Sequence, residues 1–592
     1  MKNRLFFIAL ICFVLLLGLF SLTANTHAKT ETALTQAQQQ QILFYTRAHY
    51  ENKKALLFPE VANLKNALIM YAFDEQGSIV AQIKQHDTKQ TLQEKIHKAT
   101  SLLKEKKHTD PLYIHIMLVS YKTRFANFGI KGLFDYKVYE PQVTGIAYEL
   151  HGKRAELTPL DALRLNLGAK GARTYLAKNV GINPKDMIKY NDLIIEMYRV
   201  LHFGEAFPDH KFTTFHRGQE TITTSDVTYS EMQNRLKLIG QWYENNVKNN
   251  EVTYEYYPAK DLYQDNTRTM VRSTMAVWVL NKLAFYLNDP KLKQLGQETL
   301  NYYLERYFNM TRSLKTGELQ PTLNPTKKGE IPKYRYTTAG FMIMSFLERG
   351  EFAEHKKEIA LLADWLMKHQ RPDGIFTTQY AQSQYFMPGQ LLLAMASLYE
   401  ETKDKKYKAY FDKSFLAYKK QLEAMMHLGN QRYAPFAPAW FTQPLTKMWL
   451  ITKENKYREL IFTINDRASK WYQANAQDQV YFDYDGMLAP IPGSYGNTAI
   501  TAAVLESLVD AAYVAKISGD STRLQKYASI IKKTTAYLMR LQYTPANTYY
   551  IKNRERVIGG FKTDLLNTKI WMDNVWHLTS AFIKIEKDLL LP

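Results

Sequence analysis

Cysteine is almost absent from the chain, because the only one, Cys12, lies in an apolar stretch near the N-terminus. The remaining residues therefore form no disulfide and offer no cysteine ligand for zinc. A His-Glu-x-x-His helix, a phosphate-binding loop and a dinucleotide-binding glycine motif are also missing. These absences argue against zinc peptidases, nucleotide hydrolases and Rossmann-type dehydrogenases, and we expect neither a metal nor a cofactor.

The chain also lacks a concentrated basic segment, although its net charge is +20. Lysine and arginine are spread over both halves, without an arginine-rich run or a zinc-finger spacing. We therefore expect no nucleic-acid partner. A basic exterior suits an acidic polymer or anionic lipid headgroups, and it also serves solubility alone.

One long run carries no charge: residues 5–22, which begin at Leu5, end at Leu22 and follow a basic start. Its 18 residues are just enough for a membrane span. The basic residues before it predict that the N-terminus stays inside and the rest lies outside. We predict a signal anchor in residues 1–28 of a single-pass bacterial inner-membrane protein, with the bulk in the periplasm or outside. Cleavage near Ala28, which would give a secreted protein, remains the alternative.

Residues 29–57 are rich in Gln, Thr and Lys and predict a polar helix or stalk. Beyond them the pattern is mixed. "NALIMYAFD" and "LYIHIMLVSYK" are typical of strands, and "GIAYELHGKRAEL" is typical of a hairpin with a His-Gly turn. "TLQEKIHKATSLLKEK" and "KGARTYLAKNVG" are typical of helices, the second ending at Gly181. The sequence therefore predicts an α+β domain over residues 58–229.

Part of this region resembles a known family. "VTGIAYELHGKRAELTPLDAL" and "GARTYLAKNVGINPKD" are similar to segments of AMMECR-type domains. The family's Leu-Arg-Gly-Cys-Ile-Gly signature is absent, and "GSIVAQIK" stands in its place. The resemblance implies an AMMECR-like fold and carries over no catalytic residue.

From about residue 230 onward, apolar residues recur at helical spacing in one segment after another. The pattern predicts twelve helices: 230–248, 270–287, 291–308, 338–349, 354–369, 388–402, 405–426, 438–453, 455–475, 495–517, 521–542 and 571–588.

Adjacent helices share a format in which an apolar helix reaches a short polar turn and a Lys/Tyr-rich helix returns. Examples of the turn are "YLNDPKLKQL", "YEETKDKKYKAY" and "LITKENKYREL". Such internal repetition indicates a stacked architecture. With the first and last helices forming a sixth pair, residues 230–592 resemble the (α/α)6 toroid of six-hairpin glycosidases and related polysaccharide lyases and epimerases. The resemblance implies a closed ring, with 230–248 beside 571–588.

In such a toroid the segments that lead into the inner helices gather at one mouth. Here these segments are rich in Tyr, Trp, Arg, Asp and amides, as in "RPDGIFTTQYAQSQYFMPGQ", which starts at Arg371 and includes Phe376, Tyr380 and Phe386. Aromatic faces stack on sugar rings, and helix N-termini favour anionic groups. We therefore predict a carbohydrate cleft at the mouth. The alternative is that these rings only pack the loops against the rim.

The predicted catalytic residues follow from two kinds of chemistry. Asp483 and Asp485 share one side of an extended run, as paired carboxylates for glycoside hydrolysis would. Asp573 and His577 are one helical turn apart, so the carboxylate would orient an acid/base histidine. Arg272 would neutralise a uronate carboxylate during proton abstraction by a lyase or epimerase. The predicted substrate-binding residues are Trp440, Tyr385, Tyr336, Gln390, Arg268, Tyr495, Asn497 and Trp576.

The sequence thus predicts an envelope-facing protein that acts on an exopolysaccharide or capsule-like polymer, as a glycoside hydrolase or a uronate lyase or epimerase. Gln390 stands where toroid relatives often carry Glu, which weakens the hydrolase interpretation. The alternative from another class is a non-catalytic glycan-binding or assembly subunit of a polysaccharide synthesis or export system. A third is a scaffold whose aromatic residues are structural.

Overall fold

The computed structural model describes residues 34–106, 112–126, 139–264, 268–312, 319–323, 335–377, 381–428, 436–472, 482–488 and 497–588. The predicted membrane segment at 5–22, Tyr380 and Tyr495 lie outside the described residues.

The N-terminal part is α+β and is built on an eight-stranded antiparallel sheet in the order β2-β1-β3-β6-β4-β5, with β7 on β6 and β8 on β7. The strands are β1 (Leu68–Phe73), β2 (Ile79–Gln85), β3 (Tyr113–Ala126), β4 (Thr144–Leu150), β5 (Lys153–Leu157), β6 (Ile194–Ala206), β7 (Lys211–His216) and β8 (Gln219–Glu220). The predicted hairpin is confirmed as β4 and β5, where His151 and Gly152 turn with φ of 47° and 76°.

Five helices accompany the sheet: α1 (Gln36–Tyr50), α2 (Pro59–Ala62), α3 (Leu92–Lys104), α4 (Pro159–Arg164) and α5 (Ala169–Asn179). On α1, Ile42, Leu43 and Tyr45 are buried in a core shared with α3 and one face of the sheet. The predicted helix is therefore present as α1, but it packs on the sheet and does not form a stalk. Gln36 and Gln40 are exposed, while the apolar residues that follow the glutamine run pack on the sheet.

Both faces of β1 are buried, because alternate residues point to opposite sides of a strand. Leu68, Met70 and Ala72 join the core under α1 and α3. Ile69, Tyr71 and Phe73 join the larger core, which continues into the helical part. The sheet is thus a layer between its own helices and the C-terminal half of the chain.

The C-terminal part contains the twelve predicted helices, and all are confirmed within a few residues. They are α6 (Tyr229–Asn246), α7 (Met270–Tyr286), α8 (Pro290–Tyr307), α9 (Arg335–Glu348), α10 (Lys356–Met367), α11 (Met387–Thr402), α12 (Lys405–Leu428), α13 (Phe436–Thr452), α14 (Asn455–Tyr472), α15 (Thr498–Ser518), α16 (Ser521–Arg540) and α17 (Met572–Asp588).

The odd-numbered helices α7 to α17 form an inner ring, since each contacts the next and α17 contacts α7. The even-numbered helices lie outside them, and α6 contacts α17 as predicted from the ring closure. Inner helices such as α15 are mostly apolar and are buried on nearly all sides, whereas outer helices such as α16 leave one side exposed along much of their length. In the part of the chain that the structure describes, α15 is the one helix long and apolar enough to cross a membrane, and 89% of its most apolar window is buried inside the molecule.

Short strands connect the helices. The pairs are β9 (Val247–Lys248) with β10 (Glu251–Val252), and β13 (Phe308–Arg312) with β14 (Leu319–Leu323). A third small sheet joins β11 (Glu255–Tyr257), β12 (Leu262–Gln264) and β15 (Ile570–Trp571). This sheet fixes the connection before α7 to the residues that start α17.

The segment between α16 and β15 docks on the sheet of the α+β part. The ring of Tyr549 stacks on His115 with centroids 3.8 Å apart and meets Phe73 edge-on at 5.4 Å. A Cβ on Gly77 would lie 2.3 Å from the carbonyl oxygen of Ile551, so only glycine fits this approach. The two parts therefore share one continuous apolar core.

Candidate functional site

The N-terminal ends of α7 and α17 lie side by side at one end of the ring. Arg272, in the first turn of α7, places its NH2 group 3.3 Å from Oδ2 of Asp573, in the first turn of α17. The small sheet aligns the two ends, because the amide of Met572 donates to the carbonyl of Tyr254 at 3.0 Å. The structure thus brings two predicted catalytic residues together.

The guanidinium of Arg272 is held between two aromatic rings. It lies 5.0 Å from the ring centre of Tyr254 and 5.4 Å from that of Trp571. Cation–π contacts of this kind fix a cation without neutralising it. The Arg272 side chain remains 29% exposed, so a positive charge faces the mouth of the ring.

The carboxyl group of Asp573 is only 14% exposed. Burial raises the pKa of Asp573, and the charges of Arg272 and His577 with a hydrogen bond from Tyr254 offset only part of this rise. A carboxyl group that keeps its proton to higher pH than usual is suited to act as a general acid.

His577 lies one turn deeper on α17, and its Nδ1 is 2.6 Å from Oε2 of Glu506 on α15. Both side chains are buried, with 5% and 2% exposed. Burial raises the pKa of Glu506, but the hydrogen bond and charge of His577 and the charge of Lys584 outweigh it, so the net pKa lies below the usual range. An ionised Glu506 orients the imidazole and leaves Nε2 for proton exchange.

This geometry corrects the predicted pair, since Glu506 and not Asp573 makes the hydrogen bond to His577. Sequence reasoning missed Glu506. The signal was present, because Glu506 and Asp510 are acidic residues one turn apart in the otherwise apolar helix α15. A charge in such a helix is costly unless it has a partner, so it points to a polar centre inside the ring.

Trp440 and Trp576 flank His577, with ring centroids 5.7 and 6.0 Å from the imidazole. Each residue is only 3% exposed, and Trp440 also packs edge-on against Phe341 at 5.8 Å. These tryptophans therefore form the packed wall around the histidine. The expectation that they present open faces for stacking on sugars is not met.

Asp483 and Asp485 do not join this centre. Oδ2 of Asp483 accepts from Nε of Arg217 at 2.5 Å, and Arg217 also pairs with Glu140 at 2.5 Å, all inside the interface with the α+β part. A buried carboxylate needs such a counter-ion, and the charge of Arg217 helps to hold the pKa of Asp483 far below its usual range although burial opposes this. Asp485 instead faces Lys533 of α16 at 4.0 Å. The prediction that both aspartates face the cleft is wrong.

Three other predicted residues have structural partners. Arg268 donates to Glu251 at 2.8 Å and its side chain is 11% exposed. The ring of Tyr336 lies 3.9 Å from that of His369. Asn497 caps α15 by accepting from the amide of Ile500 at 3.3 Å. None of these contacts links them to Asp573 or His577.

Gln390 and Tyr385 lie near the start of α11. Gln390 is 4% exposed, whereas Tyr385 is half-buried at the end of a 3-10 turn. In the aromatic loop before them, Phe376 is buried against Tyr410 and Tyr418, with centroids 5.7 and 6.0 Å away. The packing interpretation therefore holds for Phe376.

Among the described residues, no group of three or more His, Cys, Asp or Glu side chains is arranged to hold a metal ion.

No protein-family model and no curated protein matches the chain. Similar solved structures include a family 76 glycoside hydrolase from a bovine Bacteroides thetaiotaomicron strain, with TM-score 0.43 and 10% identity, covering 80% of this chain and 96% of that one. A D-mannose isomerase has TM-score 0.45 and 14% identity, covering 61% and 98%. A cellobiose 2-epimerase from Bacillus thermoamylovorans has TM-score 0.42 and 11% identity, covering 61% and 98%. At these values the similarity assigns no residue role.

Proposed function

We propose that the chain is a carbohydrate-active enzyme of the cell envelope and that the mouth of its helical ring is the active site. One observation carries the proposal: the buried His577–Glu506 pair lies one turn below Asp573, which is itself held beside Arg272. A base with a fixed orientation, a carboxyl group with a raised pKa and a partly exposed cation are the groups that acid–base catalysis requires.

An anionic polymer, such as one that contains uronate units, fits this mouth best. Arg272 is joined by Lys569, whose Nζ lies 4.8 Å from the ring centre of Trp571. The N-terminal ends of α7 and α17 add the positive ends of two helix dipoles. Half-buried aromatic rings at Trp571 and Tyr257 stand beside these charges.

The positions of Arg272, His577 and Asp573 suit the removal of a proton from the carbon next to a uronate carboxylate. Arg272 would bind the carboxylate, and Nε2 of His577 would take the proton from the adjacent carbon. The electron pair of the broken C–H bond would then move into the carboxylate, where Arg272 stabilises it. In an epimerase, Asp573 would return a proton to the other face of that carbon. In a lyase, the electron pair would return to form a carbon–carbon double bond as the neighbouring carbon–oxygen bond breaks, and Asp573 would give its proton to the departing oxygen.

Glycoside hydrolysis is the second candidate, and one observation favours it. The charge of Glu255 contributes to the raised pKa of Asp573, so a second carboxylate lies within electrostatic reach. Two such groups match the acid and the nucleophile or base of a glycosidase. However, Glu255 is held by Lys569 at 3.5 Å and by the hydroxyl of Tyr257 at 2.8 Å, which leaves it less free to react.

The test is turnover of a panel of acidic and neutral polysaccharides by the wild-type chain, Asp573→Asn and Asp485→Asn. We expect Asp573→Asn to lose at least ~10²-fold in rate, the usual scale for a lost acid/base group. Asp485→Asn is the matched control, because Asp485 faces Lys533 and not the mouth. Unsaturated products identify a lyase, an altered sugar configuration an epimerase, and new reducing ends a hydrolase.

Two results would overturn the enzymatic proposal. If Asp573→Asn turns the polymer over as fast as the wild type, the mouth is not the catalytic centre. If the polymer binds but is never altered, the chain is a non-catalytic glycan-binding or assembly subunit.

The placement in the envelope is part of the proposal. We infer that residues 58–229, with α1 packed on their sheet, form a domain of the AMMECR-like type and 230–592 a toroid domain, both held outside the cytoplasm by residues 5–22. The charge pattern around that segment supports this orientation. A reporter enzyme that is active only in the cytoplasm, fused after Pro592, should show no activity. Activity of this reporter would contradict the proposed orientation.

A further inference from the structure

Three large apolar side chains lie exposed along α1 and the loop that follows it. Phe44 is 63% exposed, Leu56 86% and Phe58 45%. Gln41 ties the loop to the helix, because its amide donates to the carbonyl of Leu56 at 3.3 Å and accepts from the N–H of Phe58 at 3.0 Å. Phe44 is one turn from Gln41, so the three side chains share one edge of the molecule, called here the α1 edge.

Lysines stand beside the α1 edge. Lys53 pairs with Glu51 at 2.6 Å and is itself 71% exposed, and Lys54 is exposed next to it. Lys104, at the end of α3, donates to Asn52 at 2.7 Å. Exposed apolar side chains with lysines around them are typical of surfaces that lie in the headgroup region of a bilayer. Lysines near such a surface are attracted to anionic lipids.

The position of the α1 edge along the chain points to the same partner. Only 13 residues separate Leu22, the end of the predicted span, from Gln36, the start of α1. Fully extended, these residues reach at most about 45 Å. A retained span would therefore keep α1 close to the membrane surface.

We propose that the α1 edge contacts the surface of an anionic membrane, with Phe44, Leu56 and Phe58 placed among the lipid headgroups. The contact would add a second attachment to the predicted span and would fix the orientation of the body relative to the bilayer. It rests on the proposed retention of residues 5–22 and is independent of the proposed catalytic activity.

The test uses the full chain with Cys12→Ser and one introduced cysteine, at Phe44→Cys or Leu56→Cys, labelled with a small fluorophore. Leu416→Cys is the matched control, because Leu416 on α12 is 66% exposed and belongs to the helical part. The proteins are reconstituted in phosphatidylcholine vesicles with about a third phosphatidylglycerol and brominated acyl chains that quench nearby fluorophores. We expect quenching at positions 44 and 56 to exceed that at 416 by about two-fold or more, and to fall when the anionic lipid is omitted.

Equal quenching at the three positions would overturn the proposal even if the protein floats with the vesicles, because the span alone would then hold it. A full chain that does not float with the vesicles would overturn both the retained span and the surface contact. Quenching at 44 and 56 in a protein that alters no polysaccharide would support the surface contact and count against the proposed catalytic function.

Discussion

At the scale of single residues, the centre of the ring depends on one hydrogen bond between helices. The ring of His577 is held from a neighbouring helix, because Glu506 on α15 lies 2.6 Å from its Nδ1. An acid/base histidine is effective when a second group holds its tautomer and orientation. Glu506 is therefore expected to act as a positioning residue, through His577 and not through the substrate.

Glu506→Gln tests this role with little change in volume. The amide still reaches Nδ1 but no longer stabilises a positive imidazole, so we expect kcat to fall by at least ~10-fold with little change in KM. A loss of thermal stability with an unchanged kcat would indicate a purely structural role.

Lys562 offers a second residue-scale prediction, on stability and pH. It is 1% exposed, and burial, with help from the charge of Arg217, lowers its pKa to about 7. Between pH 7 and its ordinary pKa of 10.5, the unfolded chain binds more protons at this lysine than the folded chain. The free energy of unfolding should therefore rise with pH in this window, by up to about 1.4 kcal/mol per pH unit. Below about pH 7 both states are protonated, and this contribution to the slope ends.

Chemical unfolding of the wild type and Lys562→Met between pH 7 and 9 measures this contribution. We expect the slope of the wild type to exceed that of the variant, because methionine does not titrate. Identical slopes would mean that Lys562 keeps an ordinary pKa in the folded protein. All other titrating groups are the same in the two proteins. Their contributions to the pH dependence of the free energy of unfolding therefore cancel when the two slopes are subtracted.

At the scale of elements, the inner helices approach each other closely at glycines. A Cβ on Gly389 of α11 would lie 2.3 Å from the carbonyl oxygen of Trp440 on α13, inside the van der Waals limit. A Cβ on Gly340 of α9 would meet the Cβ of Ala394 at 3.5 Å, which is an ordinary contact. Both glycines lie within inner helices, but the space around them differs.

Gly389→Ala should therefore destabilise the fold by about 1–3 kcal/mol, because α11 and α13 must move apart around Trp440. Gly340→Ala should be neutral or stabilising by up to ~1 kcal/mol, since alanine favours the helix and has room. Thermal unfolding of both variants measures the difference. Equal changes in stability for the two variants would show that a small local shift of α11 or α13 relieves the close contact at Gly389.

The elements were predicted better than the site, and the reason is physical. Helical periodicity is local, so the twelve helices can be read from spacing alone. Partners such as Glu506 and His577 are 71 positions apart, and Arg217 and Asp483 are 266 apart. Only the three-dimensional fold decides which carboxylate meets a cation in an interface and which one faces the mouth. The predicted site residues share a position near the starts of inner helices, and for Arg272 and Asp573 the structure does bring the two side chains together.

At the scale of the whole molecule, the α+β part supports the segment that leads into the site. Gln142 donates to the carbonyl of Leu566 at 2.7 Å, and the amide of Thr568 donates to Asn166 at 2.9 Å. Five residues after Thr568 the same segment reaches Asp573. The turns before β4 and after α4 therefore hold the segment before α17 from outside the ring, while the small sheet of β11, β12 and β15 holds its end at the mouth.

The ion pair in this interface gives a last prediction. Arg217 is buried between Asp483 and Glu140, so Arg217→Met leaves two carboxylates without their cation and should cost about 3–5 kcal/mol in the free energy of unfolding. Lys533→Met is the matched control, because Lys533 is 42% exposed and 4.0 Å from Asp485, and its loss should cost no more than ~1 kcal/mol.

Adding Asp483→Asn and Glu140→Gln to Arg217→Met should recover part of the loss, since the neutral amides no longer need a counter-ion. Denaturant unfolding of the single and triple variants measures this recovery. Because the core is continuous, we expect a single transition in each variant. Two separate transitions in Arg217→Met would show that this ion pair, and not the apolar contact around Tyr549, couples the sheet to the ring. A cost for Arg217→Met no larger than that of Lys533→Met would contradict the buried pairing itself.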